Sequence, residues 1–305
     1  METFSALTKE LRSRCPGLEL RENEPMRAHT SFHIGGPARL MALPRSEEEA
    51  VTAVRTAAAL GLEPVFMGNG SNLLVADAGI EAFVIKAFEG LGALAQTGEH
   101  ELTAGSGVLL VRLANFAQTL GLTGLEFAHG IPGTLGGAVT MNAGAYGGEM
   151  CEVVVRTKYL TADGTVAFLQ GEEHEFSYRH SAFSDGKRMI LSTMLALAPG
   201  NGAAIRAHMD DLMERRRSKQ PLEWPSAGST FKRPAGNYAS ALIEQCGLKG
   251  VRVGGAQVSE KHTGFLINRE GATCADVLAL AARVREVVLG ETGIALELEI
   301  KTLGI

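Results

Sequence analysis

The chain has 305 residues and a mass of 32.2 kDa, beyond the length at which one hydrophobic core usually stops growing, so two domains or one two-lobed unit are expected. Its 45% apolar and 21% charged residues are the make-up of a soluble globular protein, while a net charge of −5 excludes nucleic acid as the main partner, because no basic excess exists to neutralise phosphates. Glycine is the outlier: 37 residues, about 12% against a usual ~7%, with only 10 prolines and no triplet period, excludes collagen and disorder and implies many tight turns or close approaches to a ligand.

In chain order, the start METFSALTKELRSRC lacks a basic stretch followed by an apolar one, so no secretion signal is read. Residues 4–14 form a short amphipathic helix. A polar segment from Arg27 to Gly36 leads into a strand over 38–43. Ser46 with Glu49 reads as a capping box, followed by a helical stripe of Ala50, Ala53, Val54 and Ala57 that ends at Gly61. Strands are expected over 64–67, 73–75 and 82–87, which makes an α/β unit of about residues 20–95. A second unit has a strand over 101–104, a helix over 109–120, a glycine-rich loop from Ala128 to Gly148, and strands over 151–160, 164–169 and 189–197. Residues 202–219 connect as a helix into a third block with helices over 238–246 and 273–289, a strand over 255–259 and a last strand over 294–303. No apolar run approaches 18 residues, so no membrane insertion is expected. Cys15, Cys151, Cys246 and Cys274 lie far apart without a CxxC pair, which reads as reduced thiols of a cytoplasmic protein and no metal site.

Neither the dinucleotide fingerprint nor a phosphate loop is present: Gly68-Asn69-Gly70 has Leu73 where the third glycine would stand. Gly68-Asn69-Gly70-Ser71-Asn72 can expose consecutive N–H groups as a nest for a diphosphate, or can be an ordinary strand connection. From Gly130 to Gly148 there are seven glycines and one proline. Ile131, Leu135, Val139 and Met141 are costly to expose there, so this loop reads as packed and lined for a ligand, and less readily as a surface loop. Ser229, followed by Lys232 and Arg233, can exchange a proton beside an anionic substrate, or can be a turn residue. Glu297 and Glu299 alternate with Leu296 and Leu298, which places both acids on the solvated face of a strand.

The ordered set HTSFHIGGPA, GNGSNLLV, GIPGTLGGAVTMNAGAYG, YRHSAF, RSKQP, AGSTFKRP, GLKGVRVGGAQVS and LELEI resembles the UDP-N-acetylenolpyruvoylglucosamine reductases, bacterial flavoenzymes of peptidoglycan precursor synthesis, from about Arg27 to Gly304. The resemblance implies an α+β fold: a two-lobed FAD-binding domain of the vanillyl-alcohol-oxidase-like type, not a Rossmann fold, and a C-terminal α+β substrate domain. The expected divisions are a lead-in over 1–21, the FAD-binding domain over 22–200 with lobes of about 22–95 and 96–200, and the substrate domain over 201–305. Noncovalent FAD would be held by Gly68, Asn69, Gly70, Ser71 and Asn72 at the diphosphate. Gly130, Ile131, Pro132, Gly133, Thr134, Gly136 and Gly137, with Asn142, Ala143, Gly144 and Ala145, would line the rest.

By the same resemblance, NADPH is the co-substrate and UDP-N-acetylglucosamine enolpyruvyl ether is reduced to UDP-N-acetylmuramate, hydride arriving at C3 and a proton at C2 from Ser229. Arg179 and Glu299 are the other implied catalytic residues, and Tyr178, Lys219 and Lys232 the implied substrate contacts. No obligate protein partner is implied. The family's usual Leu-Glu-Pro-Glu reads Leu-Glu-Leu-Glu here, with both acids kept. The chain lacks the insertion that carries a substrate-covering tyrosine, which resembles the shorter subgroup. Another FAD-dependent alcohol or hydroxy-acid oxidoreductase, or a non-catalytic nucleotide-sugar binder, are the competing readings.

Overall fold

In a computed structural model that describes residues 2–305, the first helix runs Glu2–Arg14 and buries Leu7 and Leu11 against Ala50, Ala53, Val54 and Ala57 of the helix Glu47–Ala59. Met1 of the expected lead-in lies outside the described residues. The Ser46 side chain caps this second helix by accepting from the Glu49 N–H at 3.1 Å. The expected capping box is only half made, because the Glu49 carboxylate reaches past Ser46 and accepts from the Arg45 N–H at 2.6 Å. Strands Glu19–Pro25, Pro37–Leu43, Ile80–Lys86 and Val65–Met67 form a four-stranded sheet in that order, the last pair parallel.

An antiparallel five-stranded sheet follows, ordered Val166–Gln170, Val154–Leu160, Met189–Ala196, Glu101–Gly105 and Leu94–Gly98. Its core joins Leu102, Leu113, Phe127, Leu135, Val139, Phe183 and Leu195 to Ile205 and Met209 of the helix Gly202–Lys219. The stretch expected as loop from Ala128 to Gly148 departs from that reading. It holds a helix, Leu135–Thr140, because Leu135 and Val139 bury on one side. A short hairpin pairs Ala145 with Gly148.

The chain divides into two compact units that are not contiguous in sequence. The first comprises the chain up to Asn23, Arg39–Asn69 and Ala82–Arg215; the second comprises Glu24–Ala38, Gly70–Glu81 and Arg216–Ile305. This differs from the expected divisions near residues 22 and 200, and the cause is long-range pairing. Phe32, Ile34 and Leu74 bury in the C-terminal core with Leu242, Ile243, Val277, Leu280 and Val284. Strand Leu73–Val75 also pairs in parallel with Lys301–Leu303. The expected last strand over 294–303 shrinks to Lys301–Leu303; before it only Leu298 bridges to Phe231, while Leu296 and Ile300 turn into the core. The helix Cys274–Thr292 has a full capping box between Thr273 and Asp276, and Asp77 accepts from the Cys274 and Ala275 N–H groups at 2.7 and 3.1 Å. Among the described residues no helix is long and apolar enough to cross a membrane, and no group of His, Cys, Asp and Glu is placed to hold a metal.

Candidate active site

In the first unit, strand Val65–Met67 ends at Gly68, where a Cβ would stand 2.1 Å from Thr134 Oγ1. Only glycine permits this approach of two loops. Asn69 Nδ2 donates to the Pro132 carbonyl at 2.8 Å and ties the turn to the 130–137 loop. That loop is fixed from behind: Leu110 N–H donates to Gly133 O, Leu135 N–H to Val108 O and Gly136 N–H to Ser106 O, at 2.8–3.0 Å. Among the described residues, the Thr134 and Ser106 hydroxyls are buried without a hydrogen-bond partner, as is His129 Nδ1 just before Gly130. A buried polar atom left unpaired costs about 1–3 kcal/mol, and such a group in a native fold calls for an explanation. Two orphaned hydroxyls beside glycine-lined backbone fit a ligand that brings phosphate and hydroxyl oxygens, as FAD does. The sequence reading did not single out Ser106, whose signal was its place between Gly105 and Gly107, and took His129 only as the start of the glycine-rich stretch.

The rest of the expected diphosphate turn belongs to the second unit. Gly70 has φ 63°, and a Cβ there would meet the His29 carbonyl oxygen at 2.2 Å. Ser31 N–H donates to Gly70 O at 3.3 Å, and half-buried Ser71 follows. Asn72 Nδ2 donates to the Glu299 carbonyl at 3.3 Å, while Asn72 O accepts from Lys301 N–H at 2.9 Å.

Asn142 was expected at the cofactor, but its side chain is turned into the protein. Its Nδ2 donates to Glu149 Oε2 and the Ser177 carbonyl at 2.9 and 3.1 Å, and its Oδ1 accepts from Cys151 N–H at 2.9 Å. It thereby links the Asn142–Gly148 segment to the turn that carries Tyr178 and Arg179. Ser177 and His180 exchange two backbone bonds of 3.1 Å, which closes that turn. Arg179 stands at φ 56°, a left-handed conformation that a non-glycine residue keeps only when its surroundings fix it. Its guanidinium lies 5.3 Å from the exposed Tyr178 ring and donates to Gly144 O at 3.3 Å. Ser181 and Ser184, also missed in the sequence, both donate to the Thr140 carbonyl and anchor the turn to the end of helix Leu135–Thr140.

In the second unit Gly228, at φ 76°, turns the chain into half-buried Ser229. Thr230 is pinned on three sides: its N–H donates to Gly264 O at 2.8 Å, its Oγ1 accepts from Leu266 N–H at 3.0 Å, and its carbonyl accepts from Glu299 N–H at 2.8 Å. Ser229 and Glu299 are thus brought together through Thr230. Glu299 is half-buried, whereas Glu297 is exposed, so the two acids do not share the single solvated strand face expected for them. Lys232 was expected toward substrate and behind Ser229. Its ammonium is instead engaged with Glu297 Oε2 at 3.0 Å, in solvent. Lys219 is exposed at the end of the helix Gly202–Lys219.

The family model described as an FAD binding domain matches residues 38–170, and that for the C-terminal domain of UDP-N-acetylenolpyruvoylglucosamine reductase matches residues 220–303. Relatives carrying that enzyme name include one from Moorella thermoacetica, 46% identical over 99% of this chain and 98% of the relative. Another, from Agathobacter rectalis, is 45% identical over 97% of this chain and 98% of its own length. The crystal structure of UDP-N-acetylenolpyruvylglucosamine reductase from Thermus caldophilus superposes with a TM-score of 0.80 at 34% identity, covering 93% of this chain and 98% of that one. Alkyldihydroxyacetonephosphate synthase shares the fold alone, with a TM-score of 0.51 at 17% identity over 63% of this chain and 40% of that one. A glycine turn packed on a second glycine loop with orphaned hydroxyls, and a C-terminal unit holding Ser229 and Glu299 on one residue's backbone, therefore occur in a chain matched end to end by these enzymes: it belongs to the UDP-N-acetylenolpyruvoylglucosamine reductase family.

Proposed function

We propose that this chain reduces UDP-N-acetylglucosamine enolpyruvyl ether to UDP-N-acetylmuramate with FAD and NADPH, a cytoplasmic step of peptidoglycan precursor synthesis. The observation that carries the reading is the 46% identity over 99% of the chain to a reductase of that name. FAD supplies the two-electron carrier that links NADPH to the enolpyruvyl group. Gly68, Asn69 and Thr134 hold it in the first unit, with Ser106 and His129 as further hydrogen-bonding partners.

The remaining work falls to side chains. Hydride arriving at C3 leaves negative charge on C2 and the adjoining carboxylate. The Arg179 guanidinium stabilises that charge, because a cation already fixed in place where charge develops costs no reorganisation when the hydride arrives. Ser229 gives the proton to C2. A serine hydroxyl is a weak acid, so a proton must follow behind it. With Lys232 engaged by Glu297, water reaching half-buried Ser229 is that source. Glu299, held beside Ser229 by its backbone bond to Thr230, orients the substrate with its carboxylate. Tyr178 and Lys219 contact the nucleotide-sugar substrate.

The test is spectroscopic. Purified protein should be yellow with flavin bands, should bleach with NADPH under anaerobic conditions, and should recover colour on adding the enolpyruvyl ether. Protein that stays colourless after reconstitution with FAD, or that regains colour only with a simple alcohol-derived carbonyl acceptor, overturns the proposal.

A further inference from the structure

The Tyr178–Arg179 turn is built on a residue that the chemistry does not use. His174 is fully buried. Its Nδ1 lies 3.0 Å from the Gly171 carbonyl, which can only accept, so Nδ1 carries the proton. Its Nε2 then accepts from the Thr157 hydroxyl at 2.9 Å, and Thr157 in turn meets Thr193 at 3.4 Å. The ring stacks on Phe176, with centroids 4.9 Å apart and planes 3° from parallel. The chain leaves His174 through Glu175 at φ 49°, forms the turn, and returns at Ala182, whose N–H donates to the His174 carbonyl at 2.8 Å. The loop between these two points contains two non-glycine residues in the left-handed region, Glu175 and Arg179. Each costs about 1–2 kcal/mol, so the loop does not hold this shape by itself.

We propose that His174 is a positioning residue of the reaction: clamped between Thr157 and Gly171, it holds the base of the loop so that the turn presents Arg179 in one geometry. The proposal rests on the charge-stabilising role given to Arg179 above. It separates His174 from an ordinary core residue, because core packing alone would affect both half-reactions alike.

The test uses full-length flavoprotein carrying His174→Leu, with three measurements. The Ala182 amide should exchange with deuterium about 10-fold faster, the scale of one lost buried hydrogen bond. Reoxidation of the flavin by the enolpyruvyl ether should slow by about the same factor. Reduction by NADPH should keep its wild-type rate. His174→Asn, whose amide can still donate toward Gly171, should restore part of both losses. If His174→Leu does not fold, Thr157→Val removes one ring partner and takes the same three measurements. Unchanged Ala182 exchange overturns the proposal whatever Arg179 does. Faster exchange with normal reoxidation also overturns it when Arg179→Lys by itself slows reoxidation; when Arg179→Lys leaves reoxidation normal too, it is the reading of Arg179 that has failed.

Discussion

Replacing Gly68 by alanine puts the contact between the two glycine loops to a quantitative test. The added Cβ would stand 2.1 Å from Thr134 Oγ1, with the Thr134 Cβ and Cγ2 at 3.4 and 3.6 Å. Contact between a methyl carbon and an oxygen needs more than 3 Å, so either one loop moves by about 1 Å or Thr134 changes rotamer, and overpacking of this kind typically costs about 1–3 kcal/mol. Thr134 can relieve the contact by rotation only by turning its Hβ toward the new atom, and a buried β-branched side chain leaves its preferred rotamer at a cost. If the loops part, FAD is held less well, and the same free energy corresponds to roughly a 5- to 150-fold rise in its Kd. Thr134→Ala removes the clashing atom and leaves the Thr134 Cβ at 3.4 Å, an ordinary contact. The Gly68→Ala penalty should therefore nearly vanish in the Thr134→Ala background, a coupling of about 1–3 kcal/mol between the two positions. Flavin fluorescence titrations of wild type, both single variants and the double variant measure it. Additive losses would refute the contact, and an unchanged Kd in Gly68→Ala would refute the role of the turn in holding FAD.

Arg179→Lys keeps the charge but loses the planar fork, so reoxidation by the enolpyruvyl ether should fall about 10- to 100-fold while reduction by NADPH is unaffected; stopped-flow traces of the two halves decide it, and equal rates to wild type remove Arg179 from charge stabilisation. A second expectation concerns acid. Burial holds the imidazoles of His174 and His262 below the ordinary histidine value of 6.5. As pH falls through 6.5 the unfolded chain takes up protons that the folded chain refuses, so stability is full above that pH and declines below it, until the folded-state values are reached. For fully buried His174 the slope is at most about 1.4 kcal/mol per pH unit. Thermal melts from pH 7.5 to 5 should show Tm falling below 6.5, and His174→Asn should flatten the fall; an equal slope in that variant would mean that other groups set it.

Much of this architecture was legible where a signal is local. Ser46 capping Glu47–Ala59 and the stripe from Val277 to Val288 depend on residues three or four apart, and both helices form as read. The helix Leu135–Thr140 was not legible, because Gly136 and Gly137 argue against helix; Gly136 is needed where a Cβ would press on Ser106 at 2.8 Å, and buried Leu135 and Val139 outweigh the propensity cost. The alternation Leu296-Glu297-Leu298-Glu299 suggested a strand that long-range contacts override: Glu299 bonds to Thr230 and Leu298 bridges Phe231, and no local pattern reports either. The division into units failed to follow the chain for the same reason, since the pairing of Leu73–Val75 with Lys301–Leu303 spans most of the sequence. At the candidate site, residue types were readable but side-chain engagement was not. Asn142 and Lys232 have the chemistry of ligand contacts, yet their amide and ammonium are spent on Glu149, Ser177, Cys151 and Glu297.

The central claim, that this chain protonates C2 of an enolpyruvyl ether from Ser229, is tested most directly by following each half-reaction of Ser229→Ala. Ser229 is half-buried beside a rigidly held Thr230, so loss of its hydroxyl leaves the surrounding backbone in place. FAD should bind and NADPH should bleach it at close to the wild-type rate, since that half needs no proton at C2. Recovery of the flavin absorbance on adding the enolpyruvyl ether should slow by roughly 10²–10⁴-fold, the usual cost of losing a positioned acid. Ser229→Cys, which restores an ionisable proton, should recover part of that loss. Reoxidation at the wild-type rate in Ser229→Ala would contradict the account, as would equal slowing of both halves, which would make Ser229 a residue that shapes the site and does not give the proton.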